Sequence, residues 1–149
     1  MHKKIARILK KIGSTACLEK AKTLENESYQ PNTLHLRNLG LGSNDISAIA
    51  TILEQEKDTT DLKSISFSYN KQMGDLGATA LAKSLPASLQ EIGLVGCGIR
   101  DKGGRAILKC LKTAPHLKMI CMEQNDFSNE LKKEFEMFKK NNPQILVVL

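Results

Sequence analysis

One phrase of the sequence recurs at a fixed interval, and a recurring phrase leaves a chain few ways to fold. Residues 62–85 read LKSISFSYNKQMGDLGATALAKSL, and residues 89–111 read LQEIGLVGCGIRDKGGRAILKCL. In both copies apolar residues stand at the first, fourth and sixth places: Leu62, Ile65 and Phe67, then Leu89, Ile92 and Leu94. A small polar residue follows, Asn70 or Cys97, and then an apolar one, Met73 or Ile99. Self-similarity at such a period signals stacked structural units, each too small to bury its own apolar face.

Partial copies flank the central pair. TLHLRNLGLG sets Leu34, Leu36, Leu39 and Leu41 at the fourth, sixth, ninth and eleventh places, with Leu39 where Asn or Cys is wanted, as befits an atypical first unit. A later unit carries Leu117, Ile120, Met122, Asn125 and Phe127 in the repeat places, and its helix carries Leu131, Phe135 and Phe138 at i, i+4 and i+7. The terminal QILVVL fits a fifth strand, with Ile145 and Val148 as first and fourth residues. On this register Leu34, Ile65, Ile92, Ile120 and Val148 are 31, 27, 28 and 28 residues apart.

Side chains alternate along a strand, so the fourth and sixth places face one side and the residues between them the other. A strand, loop, helix and return in each unit join neighbouring strands in parallel. The expected fold class is α/β: a short solenoid or horseshoe, with parallel strands on the concave face and helices on the convex face. Asn70 and Asn125, with Cys97 in the same slot, are expected to satisfy backbone groups where the strand turns.

The spacing L-x-x-L-x-L-x-x-N/C-x-L resembles a leucine-rich repeat. Its length of about 28 residues, a full helix after the loop, and the run Gly74-Asp75-Leu76-Gly77 leading into Ala80, Leu81 and Leu85 resemble the ribonuclease-inhibitor-like class of that family across residues 32–149. The resemblance implies strands on a concave face used to bind other proteins, and says nothing of which protein.

Ahead of the repeats, HKKIARILKKIG places Ile5, Ile8, Leu9 and Ile12 on one helical face and Lys3, Lys4, Arg7, Lys10 and Lys11 on the other. Gly13 suits a helix stop, and Ser14 or Thr15 a cap for a second helix through about Leu24. A single domain over 1–149 is expected, with a helical N-terminal cap at 1–31 and four repeats plus a terminal strand at 32–149. Glu25 to Asn32, ending with Pro31, is the connection into the first strand, and the first repeat's helix is placed within Asp45 to Leu53. The cap reading rests on the need to close a solenoid's open end. A basic amphipathic helix can also lie on an anionic membrane, dock onto a partner, or act as an organelle presequence. Ser14-Thr15-Ala16-Cys17 resembles a lipoprotein cleavage site, but Arg7, Lys10 and Lys11 break the apolar run that export requires.

Composition narrows the functions. The net charge is +6, yet residues 1–31 hold seven Lys/Arg against three Glu, while 32–149 hold fifteen against thirteen acids. With no Trp, two Tyr and four Phe, the repeats offer few stacking platforms for single-stranded nucleic acid. Four cysteines occur without a C-x-x-C pair, which suits reduced thiols in the cytoplasm and no metal site. Gly96-x-Gly98 stands between a strand and a helix, but Asp101 replaces the last glycine of a dinucleotide fingerprint. No nucleophile elbow is present, so neither a cofactor nor an enzyme is expected.

The exposed strand face is the candidate site. The alternating residues are Thr33, His35 and Arg37; Ser64, Ser66 and Ser68; Glu91, Gly93 and Val95; Met119, Cys121 and Glu123; Val147 and Leu149. The face runs from basic, through small, to apolar. Partner contacts are expected at His35, Arg37, Tyr69, Val95, Met119, Cys121, Glu123, Val147 and Leu149, with Lys71, Gln124 and Asp126 in the adjoining loops. The partner is another protein, with self-association through the last strand possible. The alternative is an adaptor held to an anionic membrane or nucleic acid by the basic helix.

Overall fold

The computed structural model describes residues 1–26 and 32–149; most of the connection read between Glu25 and Asn32, including Pro31, lies outside them. In chain order the elements are α1 (His2–Ile12), α2 (Thr15–Glu25), β1 (Thr33–His35), α3 (Ser43–Glu56), β2 (Ser64–Ser66), α4 (Gly74–Ser84), β3 (Glu91–Gly93), α5 (Asp101–Leu111), β4 (Met119–Cys121), α6 (Asn129–Asn141) and β5 (Leu146–Val148). The strands form one open parallel sheet in the order β1-β2-β3-β4-β5. This is a short solenoid, with a helix between each pair of neighbouring strands. The helix α3 runs beyond the Asp45–Leu53 expected for it, since Asp45 accepts the Gly42 N–H at 2.9 Å and fixes an earlier start.

The core is the repeat pattern made solid. Leu34, Ile65, Ile92 and Ile120 lie in register across the sheet and are buried, as are the sixth-place residues Leu36, Phe67, Leu94 and Met122. Strands of three residues supply few ladder bonds, so the loops beyond them need their own organiser. Asn70 provides it: its amide donates to Leu36 O at 2.8 Å and Phe67 O at 2.6 Å, and its oxygen accepts Leu39 N and Leu41 N, each at 3.0 Å. Asn125 repeats the scheme, donating to Leu94 O and Met122 O and accepting Cys97 N and Ile99 N. Each amide therefore braces the loop of the preceding unit. Cys97 takes the slot between them and donates its thiol to Phe67 O at 3.4 Å. The thiol offers less than an amide, and the chain compensates by close approach: a Cβ at Gly98 would lie 2.4 Å from Lys71 O.

A second ladder joins the helix starts. Asp75 accepts Arg100 N at 2.8 Å and Gly103 N at 2.9 Å, and Asp101 accepts Ser128 N at 2.8 Å and Ser128 Oγ at 2.5 Å. Each carboxylate thus meets the orphan N–H groups of the next helix, where the helix dipole also favours negative charge. Ser128 bonding holds the Asp101 carboxyl below its ordinary pKa.

The N-terminal helices lie against the first repeat. Ile5, Ala6 and Leu9 of α1 and Cys17, Ala21 and Leu24 of α2 join the core. Gly13 ends α1 in the left-handed conformation at φ 76°, and Ser14 caps α2 by accepting Cys17 N at 3.2 Å. His2 Nε2 bonds Thr33 O at 3.0 Å on the outer side of β1, and the Cys17 thiol donates to Leu39 O at 3.5 Å.

The last strand departs from the expected register by one residue. Val147, not Val148, pairs with Ile120 and is 3% exposed, while Leu146 stands 57% exposed. Leu149, also expected outside, is partly buried against the core. A one-residue slip reverses every side chain, and ILVVL is apolar in both frames, so alternation could not choose between them. The structure takes the frame that turns Ile145, Val147 and Leu149 inward.

Removing the Asn70 amide orphans buried backbone groups, so Asn70→Ala should cost at least about 1–3 kcal/mol in a urea titration; an unchanged midpoint would contradict the ladder. Two left-handed glycines separate strain from contact, since a Cβ at Gly40 meets nothing within 4 Å. Gly40→Ala should cost about 1–2 kcal/mol for backbone strain alone, and Gly98→Ala distinctly more. Equal losses would show that the approach to Lys71 is not tight.

Candidate functional site

Leaving each strand requires one left-handed residue, and it falls at the eighth place of every unit: Asn38, Tyr69, Gly96 and Gln124, with φ of 53°, 66°, 61° and 61°. Asn and Gly take this conformation readily, whereas a bulky side chain there is strained. Tyr69 is nonetheless held in it and remains 38% exposed. The Arg37 guanidinium carbon lies 5.4 Å from its ring centroid, and a Cβ at Gly96 would come within 3.3 Å of Tyr69 Cδ1. Arg37, Tyr69 and the bare backbone of Gly96 thus make one raised aromatic platform. The imidazole of His35, on β1, reaches Ser64 Oγ at 3.0 Å. Partial burial and then the charges of Lys20 and Arg37 hold its pKa below the ordinary value.

The middle of the face lies lower than its alternation suggests. Ser66 and Ser68, read as outward residues, are buried at 9% and 2% exposure. Ser68 Oγ accepts Val95 N at 3.1 Å and Ser66 Oγ bonds Ser68 Oγ at 3.3 Å, so these hydroxyls are spent on the fold. Gly93 makes this possible, since a Cβ there would stand 2.7 Å from Ser66 Oγ.

Toward the other end, Val95, Met119, Cys121 and Glu123 are half-buried and Glu91 is exposed. Among the described residues Glu123 Oε2 is enclosed without a hydrogen-bond partner. Burial, then the charges of Glu123 and Glu91, push the Cys121 thiol up from its ordinary value. Val147 and Leu149 do not belong here; Leu146 and Val148 take their places on the outward side of β5. The structure sets His35, Arg37, Tyr69, Val95, Met119, Cys121 and Glu123 in one continuous run across neighbouring units: Tyr69 N donates to Val95 O at 2.7 Å and Gly96 N to Glu123 O at 2.9 Å, so a single unit separates Tyr69 from Glu123. Sequence reasoning missed Leu146 and Val148, whose only signal was the alternative frame of the last strand.

The basic residues Lys3, Lys4, Arg7, Lys10 and Lys11 are all exposed on α1, apart from the strand face in the chain. Lys4 pairs with Glu56 and Lys10 with Glu25, each at 2.7 Å. Burial also pushes the Cys97 thiol up to about 11 and raises that of Cys110. Among the described residues no group of three or more His, Cys, Asp and Glu could hold a metal ion, and no helix is long and apolar enough to cross a membrane.

Comparison with known proteins agrees with this architecture. A family model described as Leucine Rich repeat matches residues 60–82 and 86–108, the two units that carry β2 with α4 and β3 with α5. No curated protein matches the chain. A solved structure of leiomodin-1, its Actin-Binding Site 2 (ABS2), is similar over 78% of this chain and 68% of that one, at 17% identity and a TM-score of 0.64. At that identity the likeness is one of fold.

The strain at Tyr69 can be measured. A bulky residue in this conformation costs about 1–3 kcal/mol, and the contact with Arg37 returns about 0.5–1 kcal/mol. Tyr69→Asn, which copies Asn38 of the first unit, should leave the urea midpoint unchanged or raise it. A clear loss of stability would mean that the tyrosine serves the fold.

Proposed function

We propose that this leucine-rich-repeat solenoid is a non-catalytic protein-interaction module whose partner lies on the concave strand face and the adjoining loops. The observation that carries the reading is Glu123. Its Oε2 is desolvated without a hydrogen-bond partner among the described residues, a condition that costs about 1–3 kcal/mol or more and that an arriving donor relieves. A strained, exposed tyrosine two units away on the same face supports it, because such conformations gather at binding sites. Ser66 and Ser68, on the stretch that leads into Tyr69, are buried and keep the face low beside it. Met119, Val148 and Leu146 offer apolar contact beside Glu123, and Arg37 with Tyr69 offers cationic and aromatic contact. The solved structure similar in fold is described as Actin-Binding Site 2 of leiomodin-1, which makes actin a reasonable first protein to test.

In this reading residues 1–31 serve as a cap, with His2 meeting the outer edge of β1 and Cys17 the loop that follows it. The rival reading gives α1 to an anionic membrane or nucleic acid. It is the weaker one, because in the apolar stripe that would enter a membrane Ile5 and Leu9 are buried and Ile8 and Ile12 pack against the core, and two of the lysines are paired.

Photo-cross-linking separates these readings. A photoreactive residue at Met119, on the strand face, should capture a protein from the native cell, and one at Met137, on α6 and 67% exposed, should not. Glu123→Gln should weaken capture at Met119 without lowering the melting temperature. Equal capture at both positions, or capture indifferent to Glu123, would remove the strand face from the function. Binding of anionic vesicles that disappears on charge reversal of Lys3, Arg7 and Lys11 would favour the rival.

A further inference from the structure

The convex side carries a second feature that protein recognition by the strands does not use. The helices α4 and α5 meet closely at their starts, where Asp75 receives Gly103 N at 2.9 Å and a Cβ on Gly103 would lie 2.9 Å from Asp75 Cα. Toward their C-terminal ends they leave a cavity of about 380 Å³. Its banks are short side chains, Ala82 from α4 and Ala106 and Cys110 from α5, and its floor is Leu89, Ile92 and Leu117. Those floor residues hold the first and fourth places of the repeat, so the groove reaches the strand layer. The starts of α3 and α4 are packed in the same way: Ile46 is fully buried, and a Cβ at Gly77 would lie 3.3 Å from it. Interiors are ordinarily packed without such voids, and the volume is that of a small-molecule site.

The charged groups of the lining are of one sign. Lys83 and Lys109 stand on opposite banks, and among the described residues no carboxylate lines the groove. Of its two threonines, Thr113 donates its hydroxyl to Cys110 O, whereas Thr79 Oγ1 is enclosed without a hydrogen-bond partner among the described residues. Thr79 and Lys83 are one turn apart on the same face of α4. Lys83, Lys109 and Thr79 are the donors that an anion in this apolar trough could meet.

We propose that the groove between α4 and α5 binds a single-chain carboxylate amphiphile, a fatty-acid-like molecule. Its carboxylate meets Lys83, Lys109 and the Thr79 hydroxyl, and its hydrocarbon chain lies along Leu89 and Leu117 between Ala82 and Ala114. No residue of the strand face takes part, so this site and the protein-binding reading stand or fall separately.

Titration of the full chain with dansyl-labelled undecanoate tests the site. Saturable one-to-one binding is expected, with displacement by laurate and displacement weaker by about tenfold or more with dodecyltrimethylammonium. Lys83→Glu with Lys109→Glu should weaken the carboxylate by a similar factor. Thr79→Val should weaken it while raising the melting temperature, because the orphan hydroxyl is gone. Ala106→Phe should fill the groove and abolish binding; if that variant does not fold, Ala82→Leu serves the same purpose. Laurate should also slow alkylation of Cys110 and leave Cys121 unaffected. The proposal is overturned by absence of saturable binding, by equal affinity for the ammonium amphiphile, by binding that survives in a folded groove-filled variant, or by Cys110 alkylation indifferent to laurate.

Discussion

A strand of three residues cannot hold a loop in place by its own ladder, and the side-chain amide of Asn70 does so instead. It gives two bonds to carbonyls and receives two from N–H groups, tying the end of its own strand to the loop of the unit before it. This bracing sets where the chain leaves the strand, and therefore which residue takes the left-handed position at the eighth place. The exposed platform at Tyr69 is a consequence of it. The same geometry, repeated by Asn125, fixes Gln124 one residue before that amide and Glu123 one residue earlier still.

The carboxylates of Asp75 and Asp101 do for the helices what the amides do for the loops. Because each caps the next helix and not its own, the helix starts are pinned at the spacing of the strands, and close packing there depends on glycine. The far ends have no such tie. Between α4 and α5, where Ala82, Ala106 and Cys110 line the far ends, a groove remains. The convex cavity therefore follows from pinning one end of a helix pair and leaving small residues at the other.

How much of this was legible beforehand depends on whether a position has one physical reading or two. The fourth and sixth places of the first four units, with Asn70 and Asn125, each have one, and the solenoid could be read from them. The last strand has two, since QILVVL is apolar in either frame, and the chosen frame placed Val147 and Leu149 on the wrong side. The strand face was legible as a set of positions but not as a surface. Alternation says that Ser66 and Ser68 point away from the helices; it does not say that they bond to one another and to Val95 N, which takes them out of solvent. The enclosure of Glu123 Oε2 and the groove between α4 and α5 depend on side chains from several units meeting, and a linear pattern does not carry that.

The buried serines bear on how such a face recognises anything. Gly93, Ser66 and Ser68 keep the strand face low beside Tyr69, whose N–H meets Val95 O on the next unit, and Glu123 follows one unit further on. Hydroxyls already bonded within the fold present little that must be desolvated when a partner covers them. A strained ring and an unsatisfied carboxylate oxygen, by contrast, each have something to gain from contact. On the proposed reading, the energy available for binding is concentrated where the scaffold holds groups in unfavourable circumstances, and specificity comes from the short spacing of Tyr69 and Glu123 that the asparagine ladder fixes.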